Sequence, residues 1–160
     1  MTERAHRIRL WLFGLLTLAV MAAIFFFSAQ NADESQQLSD SFLAGLIGRL
    51  LEKLLPVLSD KGMEFDIRKY AHMAEFFCLG FSSLLFADEL LRKRKVWEAS
   101  LCSLGFCFLY ACTDEWHQIY IPGRAGRLTD VLIDGIGFSL AILLTALIKL
   151  SAARAKKSGG

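Results

Sequence analysis

The stretch DEWHQIYIPGRAGRLTDVLID, residues 114–134, sets four carboxylates, a histidine, two arginines and a Pro-Gly turn between two apolar segments. One segment, residues 96–113, runs up to it. The other, residues 131–148, grows out of its end. Each is close to the roughly 20 residues that a helix needs to cross hydrocarbon. So polar an interval between two such runs marks one end of a membrane bundle, where the chain leaves the bilayer, turns and re-enters. Two more runs of similar character lie upstream, at residues 70–87 and 10–27, and the earlier of these is uncharged from Leu10 to Phe27. The reading is an all-α polytopic membrane protein with four transmembrane helices in a single domain over residues 1–160. With 160 residues, 54% apolar content, 13 Phe and 2 Pro, the chain is too short and too apolar for two soluble domains.

Arg4, Arg7 and Arg9 precede the first run, as in a secretory signal. Its apolar core is longer than a signal's, however, and Phe27-Ser28-Ala29 is a poor cleavage site, so it is expected to be retained. Basic residues then set orientation. They gather before the first helix, in Arg92–Lys95 between the second and third, and in Lys149, Arg154, Lys156 and Lys157 at the end. The connection from Ser28 to Asp66 holds three bases against seven acids. The positive-inside rule predicts cytoplasmic termini in a cell membrane, with the Ser28–Asp66 and Asp114–Thr129 segments on the outer side.

Within the first outer segment, Leu38, Phe42, Leu46, Leu50 and Leu54 recur at helical spacing and Pro56 ends the run. This predicts an amphipathic helix over about 36–55 lying in the membrane interface. Cys78, Cys102, Cys107 and Cys112 fit no zinc or redox spacing and read as packing residues inside helices. No phosphate loop, dinucleotide fingerprint or nucleic-acid motif occurs, so the expected partners are membrane lipids and not nucleic acid.

This topology carries polar residues from several helices to one depth. His72 and Glu75 lie at the start of the second helix with Lys69. Asp114, Glu115, His117 and Gln118 lie at the exit of the third, Arg124 and Arg127 on the following turn, and Asp130 and Asp134 at the start of the fourth. Spacings of three and four residues put His72 with Glu75, Asp114 with His117 or Gln118, and Asp130 with Asp134 on common faces. Gly135 and Gly137 are expected to allow close helix approach nearby.

His72, Glu75, Asp114, His117 and Asp134 are the candidate catalytic residues, because ionisable groups at membrane depth are costly unless they do something. Lys69, Gln118, Arg124, Arg127 and Asp130 are the candidate ligand-binding residues, the arginines suiting phosphate or carboxylate. His72, Asp114, His117 and Asp134 have the donor types for a divalent metal such as Zn²⁺, Mn²⁺ or Mg²⁺, although no HExxH helix is present. Plainer roles stand beside these. Arg68 and Lys69 can snorkel to the interface. Asp130 can cap a helix, and Glu115 can face water or headgroups while Asp114 faces inward. Trp116, Tyr120 and Tyr70 suit an interface belt. Asp88, Glu89 and Glu98 are expected to pair with the adjoining basic link. The whole cluster can also be structural, acids and bases neutralising one another so that the bundle packs.

Taken together, Arg68-Lys69-Tyr70-Ala71-His72-Met73-Ala74-Glu75, Asp114-Glu115-Trp116-His117-Gln118, Pro122-Gly123-Arg124, and Asp130 with Asp134 resemble the VanZ-like family. Phe27-Ser28-Ala29-Gln30 is similar to the family's helix exit, with Ala29 where a second serine is common. The resemblance spans roughly Leu10 to Leu150. It implies a small bacterial integral membrane protein, and through one family member an association with resistance to the glycopeptide teicoplanin. It implies no settled biochemical activity.

Two functional expectations follow. In the first, an outward-facing polar pocket binds an anionic envelope ligand: a lipid, a lipid-linked cell-wall precursor or a lipoglycopeptide. In the second, the chain is a membrane-embedded, metal-dependent or metal-free hydrolase or transferase acting on a lipid or lipid-linked precursor. A transporter fits less well, because the cytoplasmic helix ends show no matching polar path.

Overall fold

The structure, a computed structural model, describes residues 2–30, 67–92, 94–124 and 126–158. They form four helices: α1 Glu3–Ser28, α2 Ile67–Leu90, α3 Val96–Gln118 and α4 Leu128–Ser158. Each is long and apolar enough to span a membrane, and no strand occurs among the described residues. The protein is an all-α, multi-pass membrane protein. The expected interfacial helix over 36–55 lies outside the described residues.

Every helix outruns its apolar stretch. At about 1.5 Å per residue even the 23-residue α3 exceeds the roughly 30 Å hydrocarbon core. The polar residues placed at helix ends are therefore helical themselves. Thr2 caps α1, its Oγ1 accepting from Ala5 N at 3.4 Å. Between α3 and α4, Arg124 N donates to Ile121 O at 3.1 Å, and Gly123 has φ 77°. That is a type II turn, whose third position needs the left-handed backbone that glycine adopts without strain.

The helices do not associate by burying apolar surface from water. Large apolar side chains such as Trp11, Leu18, Phe26, Leu109, Leu132 and Ile148 are exposed around the bundle, far more than a water-soluble surface carries. Aromatic side chains mark both rims: Trp11 and Trp97 at one end, Trp116, Tyr120 and Tyr70 at the other. Inside, α2 is central and packs against all three partners, whereas α1 and α3 meet only sparsely. The interior is small, built on Ile24, Phe76, Leu79, Leu84, Cys107, Ala111, Phe138 and Ile142.

Where α2 and α4 cross, glycine replaces volume with proximity. A Cβ on Gly80 would strike the Phe138 backbone at 2.5–3.0 Å, and one on Gly137 would strike the Met73 carbonyl. Gly137 thus acts as expected. Gly135 does not, since a Cβ there would meet only the Phe138 ring at 3.8 Å, and Gly80 takes the role instead. Of the four cysteines, Cys107 is buried and Cys112 half-buried, while Cys78 and Cys102 are exposed on the bundle surface.

At the end that carries Arg7, Arg9 and the α2–α3 link, the acids pair differently from the sequence expectation. Glu98 does pair with the link, to Arg94 at 3.5 Å. Asp88 instead meets Lys149 of α4 at 2.6 Å, and Glu89 meets His6 and Arg9 of α1. These two acids sit on α2 faces turned toward neighbouring helices, so their partners come from across the bundle.

Candidate functional site

The opposite end gathers the C-termini of α1 and α3 and the N-termini of α2 and α4. Asp114, on the last turn but one of α3, is 4% exposed. Its Oδ2 accepts from Ser28 Oγ of α1 at 2.9 Å and from Gln118 Nε2, one turn on, also at 2.9 Å. Two neutral donors thus hold one carboxylate oxygen. The predicted pairing of Asp114 with Gln118 is present, and Ser28 of α1 adds a partner 86 residues away in sequence.

Glu115 is buried as well, which overturns the expectation that it faces water or headgroups. The reason is the turn. Gly126 folds back against the Glu115 carbonyl and Ile119, too close to admit a Cβ, so the chain entering α4 lies over the α3 terminus. Glu115 Oε2 then accepts from Arg127 N at 2.9 Å, just ahead of the N-terminus of α4, where a negative charge is favoured.

Among the described residues Arg124 is the buried cation of this end, 8% exposed. Its Nη2 donates to Phe27 O of α1 at 3.0 Å, and its Nη1 lies 3.5 Å from His72 Nε2 of α2. A guanidinium can only donate, so Nε2 is the accepting nitrogen and Nδ1 carries the ring hydrogen. That hydrogen faces Glu75 Oε2, with Nδ1 at 3.6 Å. A file of groups therefore runs from Glu75 through His72 and Arg124 to the α1 terminus. The guanidinium is electrostatically coupled to Glu75, Asp114 and Glu115 alike.

Asp134, 1% exposed, lies one turn inside α4 and is coupled to Glu115, Asp114, Asp130 and Glu75. Its Oδ2 has no hydrogen-bond partner among the described residues. The same holds for His117 Nδ1, and Glu75 Oε2 has the His72 contact but no hydrogen bond. The His117 ring stacks on Phe25 at 4.6 Å between centroids. Buried polar atoms left so cost about 1–3 kcal/mol each, and they are sparse in native proteins. Three at one end of one bundle mark a place shaped for something more than packing.

The remaining predicted residues take outer positions. Asp130 stands in the first turn of α4, where Thr129 Oγ1 reaches its Oδ1 at 3.4 Å. Arg127 is exposed at the rim. The backbone of Lys69 is in α2, but its side chain lies outside the described residues.

His72, Asp114, His117 and Asp134 share this end without closing into a ligand set. Among the described residues no three His, Cys, Asp or Glu side chains are arranged to hold a metal ion. Ser28, Glu115, Phe25 and Tyr110 were not among the candidates. Tyr110, whose hydroxyl donates to Met21 O at 2.7 Å, ties α3 to α1 just below the cluster. Ser28 and Glu115 carried a sequence signal, as polar residues at the exits of otherwise apolar runs, whereas Phe25 and Tyr110 carried none.

The same elements are covered by a family match. The family model for VanZ/LLP1 matches residues 13–149, which takes in α2, α3, most of α1 and α4, and the turn between α3 and α4. The chain belongs to the VanZ/LLP1 family. No curated protein and no solved structure matches it.

Proposed function

We propose that this VanZ/LLP1 member is a bacterial cell-membrane protein whose polar end faces outward and binds an anionic group of an envelope ligand. The orientation is supported by the basic residues that collect at the other end, with both termini, as the positive-inside rule expects for the cytoplasmic face. Candidate ligands are a lipid, a lipid-linked cell-wall precursor or a lipoglycopeptide, and teicoplanin-type resistance is the phenotype that the family suggests.

The observation that carries the reading is the pairing of one exposed and one buried arginine with open acceptors. Arg127 is exposed at the rim, where a guanidinium suits an anionic group, and Arg124 is buried. Asp134 Oδ2 and Glu75 Oε2 beneath can accept from hydroxyl or amine donors. The favoured ligand therefore carries an acidic group together with hydrogen-bond donors, as glycans and peptides do.

A second reading has its own observation. Glu75, His72 and the unsatisfied Asp134 are the group types of general acid–base catalysis, so a metal-free hydrolase or transferase acting on a lipid-linked substrate also fits.

One experiment separates them. The wild type and Arg127→Ala, Arg124→Ala, Asp114→Asn and Asp134→Asn variants are expressed in a teicoplanin-susceptible bacterium, with drug susceptibility and envelope lipids measured. Binding predicts a shift in susceptibility that Arg127→Ala reduces, with no lipid turned over. Turnover of a labelled lipid-linked precursor that disappears in Asp134→Asn establishes the enzyme. If expression of the wild type alters neither readout, both readings fail.

A further inference from the structure

A second feature lies away from the polar end. α1 and α3 touch where Tyr110 bonds Met21 and where Phe25 stacks on His117. Below Met21 they part and leave a groove of about 630 Å³, floored by α2 and walled by Trp11, Leu18, Phe86, Cys102 and Phe106. The volume is that of a ligand cleft, and the lining is apolar but for Thr17, Ser83 and Ser103.

Three observations name the occupant. The first is depth. Along α1 the groove runs from Leu10 to Met21, about 16 Å of helix, which is half of the roughly 30 Å hydrocarbon core. It is one leaflet deep, and Leu10, Leu90 and Leu91 carry its lining to the basic end.

The second is charge at the mouth. Arg7 continues the α1 stripe of Trp11, Gly14, Leu18 and Met21 by one turn, and Lys95 stands seven residues before Cys102 on α3. Both are exposed, and neither is within ion-pair distance of an acid among the described residues, Arg7 acting on Glu3 one turn away only through space. By contrast, Arg9, Arg92, Arg94 and Lys149 are each committed to a carboxylate. The two walls of the groove thus end at the same level in available cations.

The third is width. A second transmembrane helix is about 10 Å across and docks closely only on small residues. Gly14, the small residue of this stripe, is already covered by the Phe86 ring, which a Cβ would meet at 3.1 Å.

We infer that this groove is a binding site for an anionic phospholipid of the leaflet on the basic side. One acyl chain lies between α1 and α3, and the phosphate is held by Arg7 and Lys95.

Native mass spectrometry of the full chain, released from detergent with graded phosphatidylglycerol or phosphatidylcholine, tests this. Wild type should retain one phosphatidylglycerol in preference to phosphatidylcholine by on the order of tenfold, as two juxtamembrane cations allow. The Arg7→Gln/Lys95→Gln double variant should lose the preference but still bind either lipid weakly. Both residues are exposed and Lys95 makes no side-chain cap, so the fold is not at stake. Cys102→Trp, which fills the groove from an exposed position, should lose both lipids with melting temperature unchanged. Equal retention of the two lipids by wild type overturns the proposal. So does a preference that survives the double variant, glycerol phosphate binding as well as the whole lipid, or a dimer that forms in place of lipid binding.

Discussion

The two ends of this bundle handle charge in opposite ways. At the basic end each acid has a base of its own: Glu3 with Arg92, Asp88 with Lys149, Glu89 with Arg9 and His6, Glu98 with Arg94. These pairs are partly open to the surroundings and can be undone one at a time. At the polar end Glu75, Asp114 and Glu115 share, among the described residues, one buried guanidinium, and serine, glutamine and a backbone N–H do part of the stabilising. Pairing one to one tolerates loss. A shared counter-charge does not, because removing it exposes every partner at once.

That contrast yields its largest effect at Arg124. Arg124→Ala leaves Glu75, Asp114 and Glu115 without their common cation and frees Phe27 O, and breaking a buried charge arrangement costs about 3–5 kcal/mol. Unfolding by denaturant titration in mixed micelles should show the loss as reduced stability and folded yield. If Arg124→Ala is as stable as an Asp88→Asn control, the polar end is no more cooperative than the basic one.

Ser28→Ala comes next. It removes one of two donors to a buried carboxylate, a loss of about 1.5–3 kcal/mol. Gln118 still holds Asp114, so the variant should fold and weaken the α1–α3 contact selectively. Hydrogen exchange should then rise at the C-terminal turn of α1 and not at its N-terminal turn. A uniform rise along α1 would refute the assignment of that bond.

How far the sequence foretold this contrast depends on what decides each feature. The four helices follow from apolar length, a local property that a few ionisable residues near the ends do not hide, and so were legible. The convergence of His72, Asp114, Gln118, Arg124 and Asp134 followed from chain direction alone, since antiparallel neighbours return to the same depth. Partners set by rotation about a helix axis were not legible. Asp88 and Glu89 are adjacent in sequence yet pair with different helices, α4 and α1. Glu115 looked peripheral because its burial is imposed by Gly126 folding back eleven residues later. Gly80 was overlooked for a similar reason. Its role depends on which residue of α4 it faces, and apolar periodicity is silent about that when every side of a helix is apolar.

The glycines give a smaller, cleaner test of whether packing between the ends is as specific as the charges. Gly80→Ala forces a methyl group into the Phe138 backbone and should cost about 1–3 kcal/mol, since backbone cannot step aside as a side chain can. Gly105→Ala meets nothing within 4 Å and should be neutral or gain up to about 1 kcal/mol from helix propensity. The pair is read by thermal melting in detergent. If both melt alike, α2 and α4 do not approach as described.

The smallest effect belongs to the basic end. Asp88 and Lys149 lie 2.6 Å apart, yet their side chains are 31% and 29% exposed, and pairs of that kind contribute about 0.2–1 kcal/mol. Lys149→Met should therefore shift stability by less than about 1 kcal/mol. Even that difference should shrink as salt is raised from 0.1 M to 1 M, where the screening length falls from about 10 Å to about 3 Å. Arg124→Ala, with its partners withdrawn from solvent, should keep its full cost across the same range. Salt thus separates the two ends without reference to the size of either effect. If the Lys149→Met difference were large and indifferent to salt, the basic end would be a second buried network, and the asymmetry on which the functional assignment leans would disappear.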